Sequence, residues 1–224
     1  MAAGNSVNDE IREQQSKLKG KPPKEKLKYF WDYYKIHTLA AIVLVIIAAN
    51  LIYTIATQKD SVLDVALVNT FLKEEYDSEE LAADFALYAG IDTNKYEITI
   101  DPDLFVDYEG TDQYSYANLQ KLTAMAAAGT LDIMLVNDDY IDHNLNAGIF
   151  TDLHDFFTDE ELARYEDRLI YREIQEYEEA IPIGIDVRDS KYLISDLIPA
   201  WFCPASTCQN PENAKLFLEY LLEP

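Results

Sequence analysis

The polar side chains that could act on a ligand sit where the strand-like runs of this sequence, apolar or alternating, end. Asn69 and Thr70 follow VLDVALV (62–68), Asp101 and Asp103 follow KYEITI (95–100), and Asn137, Asp138, Asp139 and Tyr140 follow LDIMLV (131–136). Asp186 joins them if 181–185 is a further strand. Where such runs are strands of an open parallel sheet, their carboxyl ends form one rim, and ligands bind beyond that rim. A rim of amides, carboxylates and a phenol can accept hydrogen bonds from a polar or cationic ligand. Asn and Asp are equally the residues that strand-to-helix turns require, as caps and Asx-turns. Both readings stand.

The sequence carries no recognisable catalytic pattern. His143 and His154 have Asp142, Asp152 and Asp155 nearby, but they do not form the H-E-x-x-H spacing that aims two imidazoles at one metal. There is no G-x-S-x-G elbow and no glycine-rich phosphate cradle. With three His and two Cys, nucleophile-base pairs are few. Carboxylates are too numerous, at 41 Asp and Glu, for any one pair to stand out as acid and base. Asp101-x-Asp103 and Asp138-Asp139 lack the loop pattern of a calcium site. The expectation is a protein that is not an enzyme and carries neither cofactor nor metal.

The elements that must position the rim alternate. After the run 62–68, DSEELAADFALYAG reads as a helix, with Asp77 three residues before Glu80 at its start and Gly90 at its stop. The segment 115–128 spaces Ala, Leu and Met as a helix and ends at Gly129. LDIMLV is near-continuously apolar, as a strand covered on both faces would be. Strand, helix, strand, helix, strand implies right-handed crossovers and a mainly parallel sheet flanked by helices, an α/β fold. TDEELARYEDRLIYREIQEYEEA, from Thr158, reads as a capped helical stretch. In the final segment, Asn210 is the expected cap of a helix whose apolar face is Leu216, Phe217, Tyr220 and Leu221.

One transmembrane helix is expected ahead of this domain. Residues 38–57, TLAAIVLVIIAANLIYTIAT, hold no charge, and at about 1.5 Å per residue they reach about 30 Å, the hydrocarbon thickness of a bilayer. A cleaved signal would have a shorter apolar region ending in a small-x-small site; here 37 residues precede the run. Residues 1–37 carry eight Lys and Arg against five Asp and Glu, a net +3, whereas residues 60–224 carry nine against 36, a net −27. The basic flank is therefore expected in the cytoplasm and the acidic domain 60–224 outside. Tyr29, Phe30, Trp31, Tyr33 and Tyr34 suit the headgroup layer of the lipid bilayer, and a docking helix for another membrane protein is the alternative. The negative domain disfavours nucleic acid as a partner. Cys203 and Cys208 fall on the side where a disulfide can persist, and staple and free thiols are equally open.

From Asn137 the chain reads NDDYIDHNLNAGIFTDLHDFF: strand end, acidic turn, Tyr, helix, Ala-Gly, aliphatic, Asp-Leu and an aromatic pair. This order, over Gly129 to Phe157, resembles the bacterial extracellular solute-binding proteins of ABC importers. EAIPIGIDV (179–187) is similar to the strand by which that family returns towards its cleft, and NPENAKLFLEYLLEP to the helix that closes its first lobe. The resemblance implies a periplasmic-binding-protein-like single lobe. A second lobe has no room, since a short stretch separates Phe157 from Ile181. The resemblance also places Trp201, just before the last helix, where it could stack on a ligand or fill the core edge. The expected function is non-catalytic binding of a small polar solute or a partner protein through Asn69, Asn137, Asp138, Tyr140, Asp186 and Trp201. The alternative is a structural or regulatory envelope protein with no small-molecule ligand.

Overall fold

A computed structural model describes residues 12, 16, 22–110, 113–194 and 199–223. The chain divides into two units, Met1–Gln58 and Lys59–Pro224.

The first unit contains the long helix α1, Pro23–Thr57. Pro23 suits its first turn, because the missing N–H would have no helical partner there. Within it, Lys35–Thr57 is long and apolar enough to cross a membrane, and none of its most apolar window is buried in the protein. Of the aromatics that precede this window, Trp31 is exposed; the side chains of Tyr29, Phe30, Tyr33 and Tyr34 lie outside the described residues.

The second unit is an α/β layer. Its strands are β1 (Asp60–Val68), β2 (Tyr96–Leu104), β3 (Ile133–Val136), β4 (Leu169–Arg172), β5 (Ile181–Asp186) and β6 (Trp201–Pro204). They form one sheet in the order β2-β1-β3-β6-β5-β4. β1 pairs in parallel with β2 and β3, whereas β3–β6, β5–β6 and β4–β5 are antiparallel. The sheet is therefore mixed, which corrects the expectation of a mainly parallel one. The physical reason lies after Phe157. The expected helical stretch from Thr158 forms only a short helix, Asp159–Leu162, and a 3-10 turn, Ala163–Arg168, before it becomes β4. Without a helix to carry the chain back across a sheet face, successive strands return directly and pair antiparallel.

Alternation along the strands gives the sheet two covered faces. Leu67, Leu135, Phe202 and Ile185 point to one, and Ala66, Met134 and Cys203 to the other. The first face carries α2 (Ser78–Ala89) through Leu81 and Phe85, and the last helix, Pro211–Leu222, through Phe217, Leu218 and Leu221. Phe85 and Phe217 meet edge to face at 5.0 Å. The second face carries α3 (Gln113–Ala128) through Leu122, and α4 (Asp138–Asn144) through Tyr140 and Ile141. The remaining helices are α5 (Leu153–Phe156), α6 (Asp159–Leu162) and α7 (Pro211–Leu222). Gly184 sits so close to β6 that a Cβ there would meet Cys203 Sγ at 2.7 Å.

Local signals explain the element ends. Asp77 accepts hydrogen bonds from the backbone N–H groups of Glu79 and Glu80, and Gly90 closes α2 at φ 70°. Gly129, at φ 67°, ends α3. Asn210 does not cap α7 with its own side chain. Instead, Asp132, 1% exposed, accepts hydrogen bonds from the backbone N–H groups of Gln209 and Asn210 and from the Asn210 amide, and its other bond, from the backbone of Asp64, ties this corner to β1.

Cys203 and Cys208 are both free thiols. Burial, and then the neighbouring Asp132, push the Cys208 thiol up to about 12, and burial raises that of Cys203 as well. Only thiolate alkylates readily. Iodoacetamide at pH 8 is expected to label the folded chain slowly and to label two thiols at once in denaturant. No label in denaturant without reductant would instead show a disulfide.

Candidate functional site

The strand ends named in the sequence fall on one edge of the sheet, except that β2 runs on to Leu104, so Asp101 and Asp103 lie within the strand rather than beyond it. β1, β3 and β5 finish there at Asn69, Asn137 and Asp186, and β6 begins there at Trp201, paired with both Val136 and Asp186. β4 begins there too, directly after Arg168.

The six candidates divide into two groups. Asn69, Asn137 and Tyr140 hold the fold. Asn69 is 6% exposed and adopts φ 54°, a left-handed conformation that Asn tolerates. Its amide donates to the carbonyl of Val106 at 2.8 Å and accepts from the same residue's N–H at 2.8 Å, locking the end of β1 to the segment after β2. Asn137 caps α4 by accepting from the backbone N–H of Tyr140 at 3.0 Å. Tyr140 is 2% exposed and packs 6.4 Å from Tyr108, and burial raises its hydroxyl pKa. For these three, turn and core chemistry accounts for what the side chains touch.

Asp138, Asp186 and Trp201 come together. Asp138 Oδ1 accepts from the Trp201 indole N–H at 3.1 Å and from Arg172 Nη2 at 3.1 Å. Arg172 also donates from Nε to Asp142 at 3.1 Å, one turn further along α4. Over the Trp201 ring stands the Arg188 guanidinium, 5.7 Å from the centroid, held by Asp186 at 2.6 Å. Arg168 completes the group with a fork on Asp189, both bonds 2.7 Å, and a further bond to the Asp186 carbonyl. The Arg168 fork holds the Asp189 carboxyl below its usual range, and Asp186 raises the pKa of Arg188.

Sequence reasoning missed Arg168, Arg172, Arg188, Asp142 and Asp189. A signal for them was present: four of the chain's five arginines lie between 164 and 188, and the cluster draws three of these. An arginine fork is the side chain suited to planar, two-point recognition of carboxylate or phosphate. An indole face receives cations or flat rings. Arg188 and Asp138 keep about half of their side-chain surface, at 50% and 42%, so solvent and solutes reach the cluster. The arrangement can bind and orient; it places no nucleophile beside a base.

One hollow lies apart from this cluster. A cavity of about 470 Å³ lies between the segment after β2 and the start of α3, lined by Val106, Asp107, Tyr108, Tyr116 and Leu119. Beyond β1, the segment after β5 crosses the rim: Leu72 bridges Leu193, and Lys73 N–H donates to the Tyr192 carbonyl at 2.9 Å. Among the described residues, no three His, Cys, Asp or Glu side chains are grouped to hold a metal.

No protein-family model matches the chain, and comparisons with curated proteins and with solved structures return no match.

Proposed function

We propose that this chain is a single-pass membrane protein, amino terminus in the cytoplasm, whose acidic α/β domain binds a small polar solute or a partner protein outside the cell without catalysis. Its domain corresponds to one lobe of a solute-binding protein. The uncharged run of α1 between a basic flank and an acidic domain supports the anchored topology. The observation that carries the binding reading is the Asp138–Arg172–Trp201–Arg188–Asp186 cluster, where charged groups of both signs and an indole meet at the sheet edge.

The reading is tested by thermal shift and tryptophan fluorescence of the full chain in detergent, against sugars, amino acids, peptides and divalent cations. Trp31 and Trp201 are its two tryptophans, so Trp201→Phe identifies the signal of the cluster. One ligand class is expected to raise the melting temperature and to change Trp201 emission. Asp138→Ala, which removes the acceptor shared by Arg172 Nη2 and the indole N–H while Arg172 keeps Asp142, is expected to weaken that ligand about tenfold, the effect of losing one charged hydrogen bond. A flat response to every class rejects the reading for small solutes.

One observation favours the alternative of an envelope protein with no small-molecule ligand. Each arginine of the cluster is already paired within the chain, so the group is satisfied as an internal brace. Co-purification of a membrane partner together with a flat ligand screen would select it.

A further inference from the structure

Every polar side chain of the spanning run beyond Leu39 lies on one face of α1. Those residues are Asn50, Tyr53, Thr54 and Thr57. At about 100° per residue their offsets of three, four and seven place all four within an arc of about 100°. Val43, Ile46 and Ile47 continue the same stripe towards the amino end. Written as a heptad, Val43, Asn50 and Thr57 occupy one seam position and Ile46 and Tyr53 the other. A polar stripe this regular is not what a lone helix in lipid needs, because hydrocarbon offers its side chains no hydrogen bonds.

The groups on the stripe differ in what they need. Thr57 satisfies its hydroxyl within the helix, donating to the Tyr53 carbonyl at 2.8 Å. The Asn50 carboxamide is exposed on α1 and has no partner among the described residues. It lies about 10 Å inside the Thr57 end of the run at 1.5 Å per residue, well below the lipid surface. Leaving an amide unpaired in an apolar medium is costly. No second helix among the described residues is long and apolar enough to span beside it, whereas a second copy of α1 brings an identical amide to the same depth.

We propose that α1 forms a parallel homodimer through the seam Val43–Ile46–Asn50–Tyr53–Thr57, with the two Asn50 carboxamides hydrogen-bonded to each other. A carboxamide both donates and accepts, so two copies related by a two-fold axis satisfy each other with no third component. Copies inserted with the same topology are necessarily parallel, and an Asn at a single seam position sets register and favours two strands in parallel coiled coils. The inference rests on the anchored reading of α1. The outer domains, each at −27, repel one another, and physiological salt screens that repulsion beyond about 8 Å.

The test uses the full chain reconstituted in phosphatidylcholine vesicles at physiological salt. Energy transfer between donor- and acceptor-labelled copies is expected to show a dimer, and Asn50→Leu to weaken it about tenfold, the scale of an interhelical hydrogen bond in lipid. Oxidative cross-linking is expected at Val43→Cys and Ile46→Cys and not at Val45→Cys or Ile52→Cys on the opposite face, against the unsubstituted chain as baseline. An inserted chain that stays monomeric, an Asn50→Leu chain that dimerises like wild type, or equal cross-linking on both faces overturns the proposal while leaving the anchor intact. Extraction from cell membranes by alkaline carbonate overturns the anchor itself, and the dimer with it.

Discussion

Asp132→Asn is expected to destabilise the α/β domain by about 4 kcal/mol, among the largest losses a single substitution here should cause. The carboxyl group of Asp132 is buried and acts only as an acceptor. One oxygen takes the backbone N–H groups of Gln209 and Asn210, and the other takes that of Asp64 and the Asn210 amide. An asparagine has nearly the same shape, but whichever way its amide turns, an NH₂ group faces N–H donors. Asp132→Ala leaves the same donors buried and empty, at about 1–3 kcal/mol for each unsatisfied group. For a domain of this size, 1 kcal/mol moves the melting temperature by about 2–4 °C. The drop for either variant is therefore about 8–16 °C, read by tryptophan fluorescence of the full chain in detergent. A loss below about 1 kcal/mol would show that this carboxyl does not hold α7 to β1.

The second large effect separates the two groups within the rim. Asn69→Ala is expected to cost about 3 kcal/mol, because it strands the buried N–H and carbonyl of Val106 and leaves alanine in a left-handed conformation. Asn69→Gly should recover only the conformational part, about 1 kcal/mol. Asp138→Ala should lower stability by about 1 kcal/mol, since half-exposed ion pairs contribute little, and should act on ligand binding instead. Thermal melts of the three variants, with and without the ligand found in the screen, check this. Equal destabilisation by Asn69→Ala and Asp138→Ala would erase the distinction between a fold-holding and a ligand-facing side of the rim.

The sequence made the first half of the domain legible because its signals are local. Asp77 and Gly90 bracket α2, Gly129 ends α3, and apolar runs, that of β1 interrupted only at Asp64, mark β1 and β3. The second half was less so: the strand at 181–186 and the last helix were expected, but nothing local distinguishes β4 and β6. LIYR (169–172) follows a charged, capped segment and reads as its continuation; it becomes β4 by pairing with Ile181–Ile185. WFCP (201–204) is too short to announce a strand and becomes β6 only between β3 and β5. The capping of α7 escaped for a similar reason: the acceptor, Asp132, lies 78 residues before Asn210. In the candidate site, strand-end position identified Asp138 and Asp186, while the arginines that meet them come from β4 and from the turn after β5. Sequence spacing does not bring those segments together; the antiparallel return does.

The order of strands in space differs from their order of manufacture, and this shapes how the domain can assemble. β6 lies between β3 and β5, yet it is the last strand to leave the ribosome. Until Trp201–Pro204 arrives, a nascent chain holds two half-sheets, each with an apolar border whose backbone groups are open to any passing strand. Joining them closes a loop of more than sixty residues between Val136 and Trp201, a closure about as long as the one that sets β3 beside β1. The keystone comes last, so a translation arrest or truncation ahead of Trp201 would release a species prone to clump rather than a smaller working domain.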